Sequence, residues 1–380
     1  MKIAFLTPEY PHPKTGSAGG IGTSILSLAK ALTTLGYEIS ILVYRQDEDD
    51  YFVEDNIHFY KIKNIKIKGL SLILTQKKVE RLINALFESE KIDLVEAPDW
   101  TGFTAFVKPK CPLVIRENGC DTYFCHLDNR KVKYKNKYLE KRALKKADGI
   151  ISVSAFTGNL TNKLMGLRRN FTVIPNGIDV SLFQPKPSKS NKLTILYFGT
   201  LIRKKGLLEL PKIFNIVNKT NNQVELILVG KDSGDIKTGS VSTWALMQPL
   251  FDESAIKNVT YLGAVPYSKI QDLIQNAAIC VFPTFAEALP VSWLEAMAME
   301  KAIVASNIGW ANEMIENGKE GFLVHPTNHK EYAERVLELL ENAPKQKQFG
   351  EAARRKVMEQ FNHNLIANHS VEFYKTVLKS

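Results

Sequence analysis

Short runs of valine, isoleucine and leucine recur along the first half of the chain, and stretches with helical periodicity separate most of them. The runs lie at 2–8, 38–44, 58–63, 93–98, 113–117, 149–154 and 171–177. Nearly continuous apolar strands that alternate with helices are typical of a parallel sheet covered on both faces. The first half is therefore predicted to form a doubly wound α/β domain.

The same alternation begins again after a polar, proline-containing segment, 183–192, which is predicted to be an interdomain linker. The second series of strands is expected at 193–199, 223–230, 259–263, 279–283, 302–306 and 321–324. Two such sheets place their strand ends toward each other, and the crevice between them is the expected binding site. We predict two Rossmann-like domains and a C-terminal helix that packs back on the first domain, at 1–182, 193–358 and 359–380.

Composition excludes several other classes of protein. Hydrophobic residues make up 44% and charged residues 24% of the chain, as in ordinary globular proteins. The apolar runs are far shorter than the roughly 20 residues of a spanning helix, and the first 14 residues indicate a strand and a turn rather than a signal peptide. The four cysteines form no disulfide framework, so we expect a cytoplasmic protein.

The net charge of +10 is concentrated in two basic stretches, Lys61–Lys68 and Arg130–Lys146. A basic surface suits nucleic acid, an anionic membrane or a phosphorylated substrate, and a solvated face is the plain alternative. Isoleucines alternate with the lysines of the first stretch, and 70–88 is amphipathic. Because no RNA-binding motif accompanies the basic runs, we predict peripheral contact with an anionic membrane and no nucleic-acid partner.

Three motifs follow predicted strands and carry chemistry. The glycine-rich turn at 16–22 includes Gly19 and Gly20, and glycines there let the backbone approach an anion at a helix start. The turn at 203–206 presents Arg203, Lys204 and Lys205, whose mutual repulsion a diphosphate would relieve. A plain tight turn and a solvated loop are the respective alternatives.

The third motif is the most specific and places two carboxylates near one helix start. Glu287 lies in a loop after a strand, Pro290 suits the first turn of a helix, and Glu295 lies about one turn inside that helix. Carboxylates accept hydrogen bonds from sugar and ribose hydroxyls, while the N–H groups of Val291 and Ser292 would face a phosphate. The motif therefore predicts a site for a sugar and a nucleotide.

Two acidic or thiol clusters could suggest a metal. Cys120, Cys125, His126 and Asp128 match no standard zinc spacing, and free thiols are the plainer interpretation. The acidic run 47–50 follows a strand in a charge-rich loop, where short acidic runs are common. We predict no metal at either position.

Five segments, taken in order, resemble the retaining, nucleotide-sugar-dependent glycosyltransferases of family 4. They are GGIGT, IPNGID at 174–179, RKKG, the two glutamates with LEAMAM, and 302–324. The resemblance covers essentially the whole chain. It implies the GT-B fold, in which two Rossmann-like doubly wound α/β domains face a cleft, the first on the acceptor side and the second binding the donor. It also implies that neither a cofactor nor a metal is needed.

The resemblance also implies roles for individual residues. Glu295 would bind the ribose, Glu287 the donor sugar and Lys205 the diphosphate. We expect Arg203 as a further catalytic cation, and either Arg203 or Lys204 would supply the charge that is missing at Thr200. The remaining donor-binding residues would be Gly19, Gly20, Val265, Leu289, Val291 and Ser292. The chain departs from the family pattern at Thr200, where arginine is frequent, and at Asn118, where histidine is common. Asp121 and His126 are nearby candidates on the acceptor side.

The function implied is transfer of a hexose-type sugar from a UDP- or GDP-linked donor to a glycan or lipid-linked glycan, with retention of configuration. Such a reaction belongs to cell-surface polysaccharide or glycoconjugate synthesis, at the inner face of the cytoplasmic membrane. One alternative is a GT-B epimerase or phosphorylase. Another is a non-catalytic GT-B scaffold that binds a nucleotide sugar or a partner transferase, which the loss of histidine at Asn118 favours.

Overall fold

The computed structural model describes residues 1–16, 18–186 and 193–379. The chain divides into two compact units, Met1–Gly177 with the C-terminal segment from Phe361, and Ile178–Gln360. Each unit is built on one sheet of parallel strands, and the sheet of the first unit also has one antiparallel edge strand. The predicted fold class, two α/β domains with parallel sheets, is confirmed.

The sheet of the first unit has eight strands in the order β3-β4-β2-β1-β5-β6-β7-β8. They are β1 (Lys2–Thr7), β2 (Glu38–Gln46), β3 (Asp50–Glu54), β4 (Ile57–Lys63), β5 (Leu94–Pro98), β6 (Leu113–Glu117), β7 (Gly149–Ser152) and β8 (Thr172–Val173). The central strands β5, β6 and β7 are buried at every position, which explains their nearly continuous apolar sequence.

Helices cover this sheet. They are α1 (Gly20–Thr34), α2 (Ser71–Glu88), α3 (Asp121–Leu127), α4 (Tyr134–Lys146), α5 (Ala155–Met165) and the last helix of the chain, α13 (His363–Lys379). The buried side chains of α13, including Ile366, Val371 and Tyr374, join one apolar cluster with α1 and the central strands. The C-terminal helix is thus part of the first unit.

A buried polar network ties α13 to the sheet. The Arg116 guanidinium donates to both carboxylate oxygens of Glu96 at 2.7 and 3.1 Å, and the Tyr374 hydroxyl donates to the same carboxylate at 2.6 Å. Arg116 also donates to the Ile174 carbonyl, just before the chain leaves this unit. Because each group here has a partner, the buried charges do not destabilise the fold as an isolated charge would.

The edge strand β3 is a feature that the sequence pattern did not predict. It runs antiparallel to β4, with Tyr51 opposite Tyr60 and Val53 opposite His58. Both of its faces are largely exposed, so it lacks the apolar alternation that marks a buried strand. The acidic residues before it made the segment resemble a loop.

The second unit has a six-stranded, fully parallel sheet in the order β11-β10-β9-β12-β13-β14. Its strands are β9 (Thr194–Phe198), β10 (Glu225–Val229), β11 (Val259–Tyr261), β12 (Ile279–Phe282), β13 (Ala302–Ala305) and β14 (Gly321–Leu323). Its helices are α6 (Leu210–Thr220), α7 (Thr243–Met247), α8 (Tyr267–Asn276), α9 (Val291–Ala298), α10 (Ala311–Met314), α11 (His329–Glu341) and α12 (Ala343–Lys356).

The boundary between the units lies five residues before the predicted one, at 177/178 instead of 182/183. Phe183 explains the difference, because its ring is 1% exposed and its carbonyl accepts a hydrogen bond from Arg354 of α12 at 2.9 Å. The start of the predicted linker therefore packs within the second unit, while 187–192 lie outside the described residues.

Across the described ranges, each helix is too short or too polar to cross a bilayer.

Candidate functional site

The site in the second unit lies where the strand order reverses direction. β9 is flanked by β10 on one side and β12 on the other, so the loops that follow β9 and β12 leave the sheet side by side. The first loop carries Arg203–Lys205 and the second carries Glu287. Ligands of open parallel sheets bind at such switch points, outside the carboxyl ends of the strands.

The basic turn after β9 is held firmly against the loop after β12. Arg203–Lys205 forms a single 3₁₀ turn that ends at Gly206, whose φ is +73°. A Cβ atom on Gly206 would lie 1.7 Å from the Pro283 carbonyl oxygen, and the Phe285 N–H donates to the Lys204 carbonyl at 2.8 Å. Only glycine fits at this position, so the two loops meet at a fixed separation.

Lys205 and Glu287 form an ion pair at this junction. The Lys205 ammonium lies 3.1 Å from the Glu287 carboxylate, and their side chains are 22% and 15% exposed. The ammonium also lies 3.4 Å from the position that a Cβ on Gly199 would occupy. It therefore lies beside the Gly199 backbone, where glycine has no side chain. The structure brings together a cation and a carboxylate that remain accessible to a ligand.

Arg203, which the sequence suggested as a ligand of a diphosphate, forms an ion pair with Asp235. Its guanidinium donates to the two carboxylate oxygens of Asp235 at 2.8 and 2.7 Å, and the Asp235 side chain is 2% exposed. This contact, with help from Thr238, holds the pKa of the Asp235 carboxyl well below its usual range. The charge of Arg203 is thus largely compensated within the protein, and its proposed contact with a diphosphate stays a prediction.

Glu295 lies on α9 and is buried, with 5% exposure. The Tyr267 hydroxyl, on the first residue of α8, donates to Glu295 Oε1 at 2.5 Å. Burial raises the pKa of Glu295 to about 7, and the Tyr267 hydrogen bond and the Lys205 charge oppose that rise. Glu295 is therefore a carboxyl group close to its titration midpoint at neutral pH.

The start of α9 presents backbone donors beside these side chains. Pro290 is the N-cap residue and supplies no side-chain cap, while Val291 and Ser292 are partly exposed at the first positions of the helix and Leu289 is buried. The N–H groups of a helix start favour an anion. Val265 is half-buried in the loop that leads from β11 into α8 and so to Tyr267.

In the first unit, Gly19 is the N-cap of α1 and Gly20 its first residue, and both are exposed. The Glu9 carboxylate accepts a hydrogen bond from the Gly22 N–H at 3.2 Å and would lie 3.2 Å from a Cβ on Gly19. An acidic side chain thus already satisfies a donor at this helix start. The part of Gly19 and Gly20 in donor binding stays a prediction.

The acceptor-side candidates lie after β6. The Asn118 N–H donates to Asp99 Oδ1 at 3.0 Å, and burial raises the pKa of Asp99 to about 8. Asp121 begins α3 and accepts from the Asn136 amide at 2.8 Å, whereas His126 is exposed in the last turn of that helix. Asn118 and Asp121 are therefore held by polar partners, and His126 lies apart from those two contacts.

The residues considered for a metal have other partners. Glu48 pairs with Lys61 at 2.9 Å and Asp49 with Lys78 at 2.5 Å, so part of the acidic run neutralises part of the basic surface. Over the residues that the structure covers, His, Cys, Asp and Glu side chains form no cluster of three or more that could hold a metal ion.

Sequence reasoning missed three residues that form hydrogen bonds with predicted site residues or motifs. Tyr267, Asp235 and Glu9 are the partners of Glu295, Arg203 and the Gly22 N–H. Tyr267 follows Val265 by two residues and Glu9 follows the first strand, so proximity to the chosen motifs was an available signal. Asp235 lies in a glycine- and serine-containing loop with no such signal.

Comparisons with known proteins agree with this architecture. Residues 18–182 match the family model described as Glycosyltransferase Family 4, and residues 181–356 match the model described as Glycosyl transferases group 1. The meeting point of the two matches coincides closely with the boundary between the two units.

Similar proteins include the α-maltose-1-phosphate synthase of Mycolicibacterium smegmatis, which is 23% identical over 99% of this chain and 100% of that protein. The sucrose-phosphate synthase structure from Thermosynechococcus elongatus superimposes with a TM-score of 0.80 at 18% identity, covering 100% of both chains. The Anabaena HepE structure with UDP-glucose has a TM-score of 0.75 at 20% identity, covering 99% of this chain and 100% of that chain.

The two family matches, on a chain with two Rossmann-like sheets, identify a glycosyltransferase of the GT-B type. This chain belongs to the glycosyltransferases that combine a family 4 N-terminal domain with a group 1 C-terminal domain.

Proposed function

We propose that this glycosyltransferase moves a hexose-type sugar from a UDP- or GDP-linked donor to a glycan or lipid-linked glycan, with retention of anomeric configuration and without a metal. The observation that carries the proposal is the Lys205–Glu287 pair at 3.1 Å in the switch-point loops of the second unit. The nearby buried carboxyl of Glu295 adds an acceptor for ribose hydroxyls.

Cleavage of the sugar–phosphate bond builds negative charge on the leaving diphosphate, and Lys205 with the N–H groups of Val291 and Ser292 would stabilise it. A fixed cation of this kind removes the need for a metal at the diphosphate. In the proposed reaction the acceptor hydroxyl oxygen bonds to the anomeric carbon as the bond to the diphosphate oxygen breaks. The hydroxyl proton passes to that leaving oxygen on the same face, which gives retention.

Donor recognition is assigned to the second unit. Glu287 would accept hydrogen bonds from sugar hydroxyls, because its carboxylate is partly exposed and is held by Lys205. Glu295 would accept from the ribose. Anabaena HepE, solved with UDP-glucose, supports a UDP-linked donor as the first candidate. Glu287, Lys205 and Glu295 then contact sugar, diphosphate and ribose in sequence.

The acceptor is proposed to be presented at an anionic membrane surface on the cytoplasmic side. Ile67, Leu70 and Ile73 are 49%, 52% and 43% exposed, and Lys66 and Lys68 between or beside them are exposed too. Apolar side chains mixed with lysines suit the interface of an anionic bilayer. Lys61 and Lys78 add little net positive charge to this surface, because they form ion pairs with Glu48 and Asp49.

Liposome flotation tests the membrane contact. The protein is expected to float with vesicles that contain anionic lipid at low salt, and to be released at high salt because screening weakens the attraction. The double variant Lys66→Glu/Lys68→Glu should lose binding. Lys330→Glu, a change at an 84% exposed lysine of the second unit, should retain it. Flotation that is indifferent to anionic lipid and salt would exclude this part of the proposal.

A thermal-shift panel of UDP, GDP and ADP with their sugars tests the donor. One nucleotide series is expected to raise the melting temperature of the wild type, in excess EDTA as well as without it. Glu295→Ala should weaken binding of the free nucleotide diphosphate by roughly tenfold in calorimetry, since a charged acceptor for ribose is lost. Binding without donor hydrolysis or transfer would favour the non-catalytic scaffold, and absence of binding would contradict both.

A further inference from the structure

The hydrogen bond between Tyr267 and Glu295 has no role in the reaction described so far. The two residues are separated by 28 positions, yet the phenol oxygen lies 2.5 Å from Glu295 Oε1. We propose that Tyr267 is a positioning residue for nucleotide recognition, which holds the Glu295 carboxylate in the orientation and charge state that bind the ribose. This inference rests on the proposed function.

The surroundings of Tyr267 hold its hydroxyl in place. It is the first residue of α8, directly after the N-cap Pro266, whose ring fixes its own φ at the point where the chain enters the helix. Its ring packs edge-on against Phe183, with the ring centroids 5.9 Å apart and the planes at 68°. Phe183 is 1% exposed and its carbonyl is held by Arg354, so the tyrosine ring rests on a fixed surface.

The geometry leaves Glu295 able to bind a ligand. A carboxylate has about four lone-pair sites, and Tyr267 occupies one of them on Oε1. In this proposal the other oxygen, Oε2, accepts from the ribose hydroxyls, because the Tyr267 contact is on Oε1. The 45% exposure of Tyr267 also places part of its ring at the protein surface beside the loop of Val265.

Tyr267 also favours the charged form of this carboxyl group. Burial raises the pKa of Glu295, whereas the hydrogen bond from Tyr267 lowers it. Loss of the hydroxyl therefore shifts titration of Glu295 to higher pH, so that more of the protein carries a neutral carboxyl at pH 7. A neutral carboxyl is a poorer acceptor for ribose hydroxyls, and binding should weaken accordingly.

The test is calorimetric titration of wild type and Tyr267→Phe with UDP-glucose, or with GDP-mannose if the guanine series is the one that binds, from pH 6 to pH 8, below the ionisation of either base. These diphosphate diesters keep a constant charge over this range, so any pH dependence of the affinity comes from the protein. The variant is expected to bind roughly tenfold more weakly at pH 7. The difference between the two proteins should narrow toward the alkaline end, because Glu295 is then charged in both and only the loss of its orientation remains.

The same substitution made in the Glu295→Gln variant shows whether Tyr267 acts by positioning the carboxylate or only by packing. In Glu295→Gln the affinity should lose its pH dependence, and adding Tyr267→Phe should change it less than twofold, because Tyr267 acts through the carboxylate. Equal affinity and an equal pH profile for wild type and Tyr267→Phe would overturn this inference alone. So would a tenfold loss that persists in the Glu295→Gln background. Failure of wild type to bind either sugar nucleotide would instead contradict the proposed function, and the inference with it.

Discussion

Lys205→Ala is expected to lower turnover by roughly 10²–10³ with little change in the melting temperature. The ammonium is the cation of the Lys205–Glu287 pair, it lies beside the backbone of Gly199, and the proposed function places the diphosphate there. Its loss removes a charge that stabilises the leaving group as the bond breaks. Steady-state transfer or donor hydrolysis, measured at saturating sugar nucleotide, reports this effect on kcat.

Lys212→Ala is the matched control for this variant. Lys212 lies on α6 of the same unit, where it pairs with Glu209 across one helical turn at 3.0 Å, and its side chain is 45% exposed. An exposed pair of this kind contributes little to stability, so kcat and the melting temperature should both stay near wild type. Wild-type kinetics in Lys205→Ala would remove the assignment of the diphosphate to this residue.

Gly206→Ala is expected to destabilise the second unit by about 3–5 kcal/mol and to abolish donor binding. A Cβ at this position meets the Pro283 carbonyl oxygen at 1.7 Å, a backbone atom that cannot move without shifting the loop after β12. The left-handed φ of +73° adds a conformational cost for alanine. Urea denaturation of the variant should show the lower midpoint.

Gly239→Ala separates the steric cost of a Cβ atom from the conformational cost of the left-handed φ. Gly239 has nearly the same backbone angle, with φ of +77°, but a Cβ there would meet no atom within 4 Å. Its substitution should therefore cost only the conformational part, about 1–2 kcal/mol. If the two variants unfold at the same urea concentration, the close approach of the turn to Pro283 does not contribute to stability.

Much of the secondary structure followed from local sequence. The apolar pattern predicted β6 with the bounds that the structure has, Leu113–Glu117, because its first three residues are apolar and the strand is buried at every position. The prediction failed for β3, whose exposed residues leave no such pattern. Its pairing with β4 depends on backbone hydrogen bonds and on cross-strand contacts such as Phe52–Phe59, which need the partner strand in place.

The candidate site, like the fold, was predictable from the sequence only in part. The identities of Lys205, Glu287 and Glu295, and their positions after strands or at a helix start, were evident from the motifs. Their partners were not, because each contact joins side chains that are distant in the sequence. Asp235 reaches Arg203 across 32 residues, and Tyr267 reaches Glu295 across 28.

By itself, the order of residues determined the class of fold, through its local periodicity, and the chemical groups available at the strand ends. It also carried the motifs that resemble those of glycosyltransferases. The tertiary structure alone decided which groups are neutralised and which remain accessible. Charge state depends on burial and on the nearest opposite charge, and both are set by the packing of segments distant in the chain. Thus Arg203 faces Asp235, and Glu295 is buried beneath the hydroxyl of Tyr267.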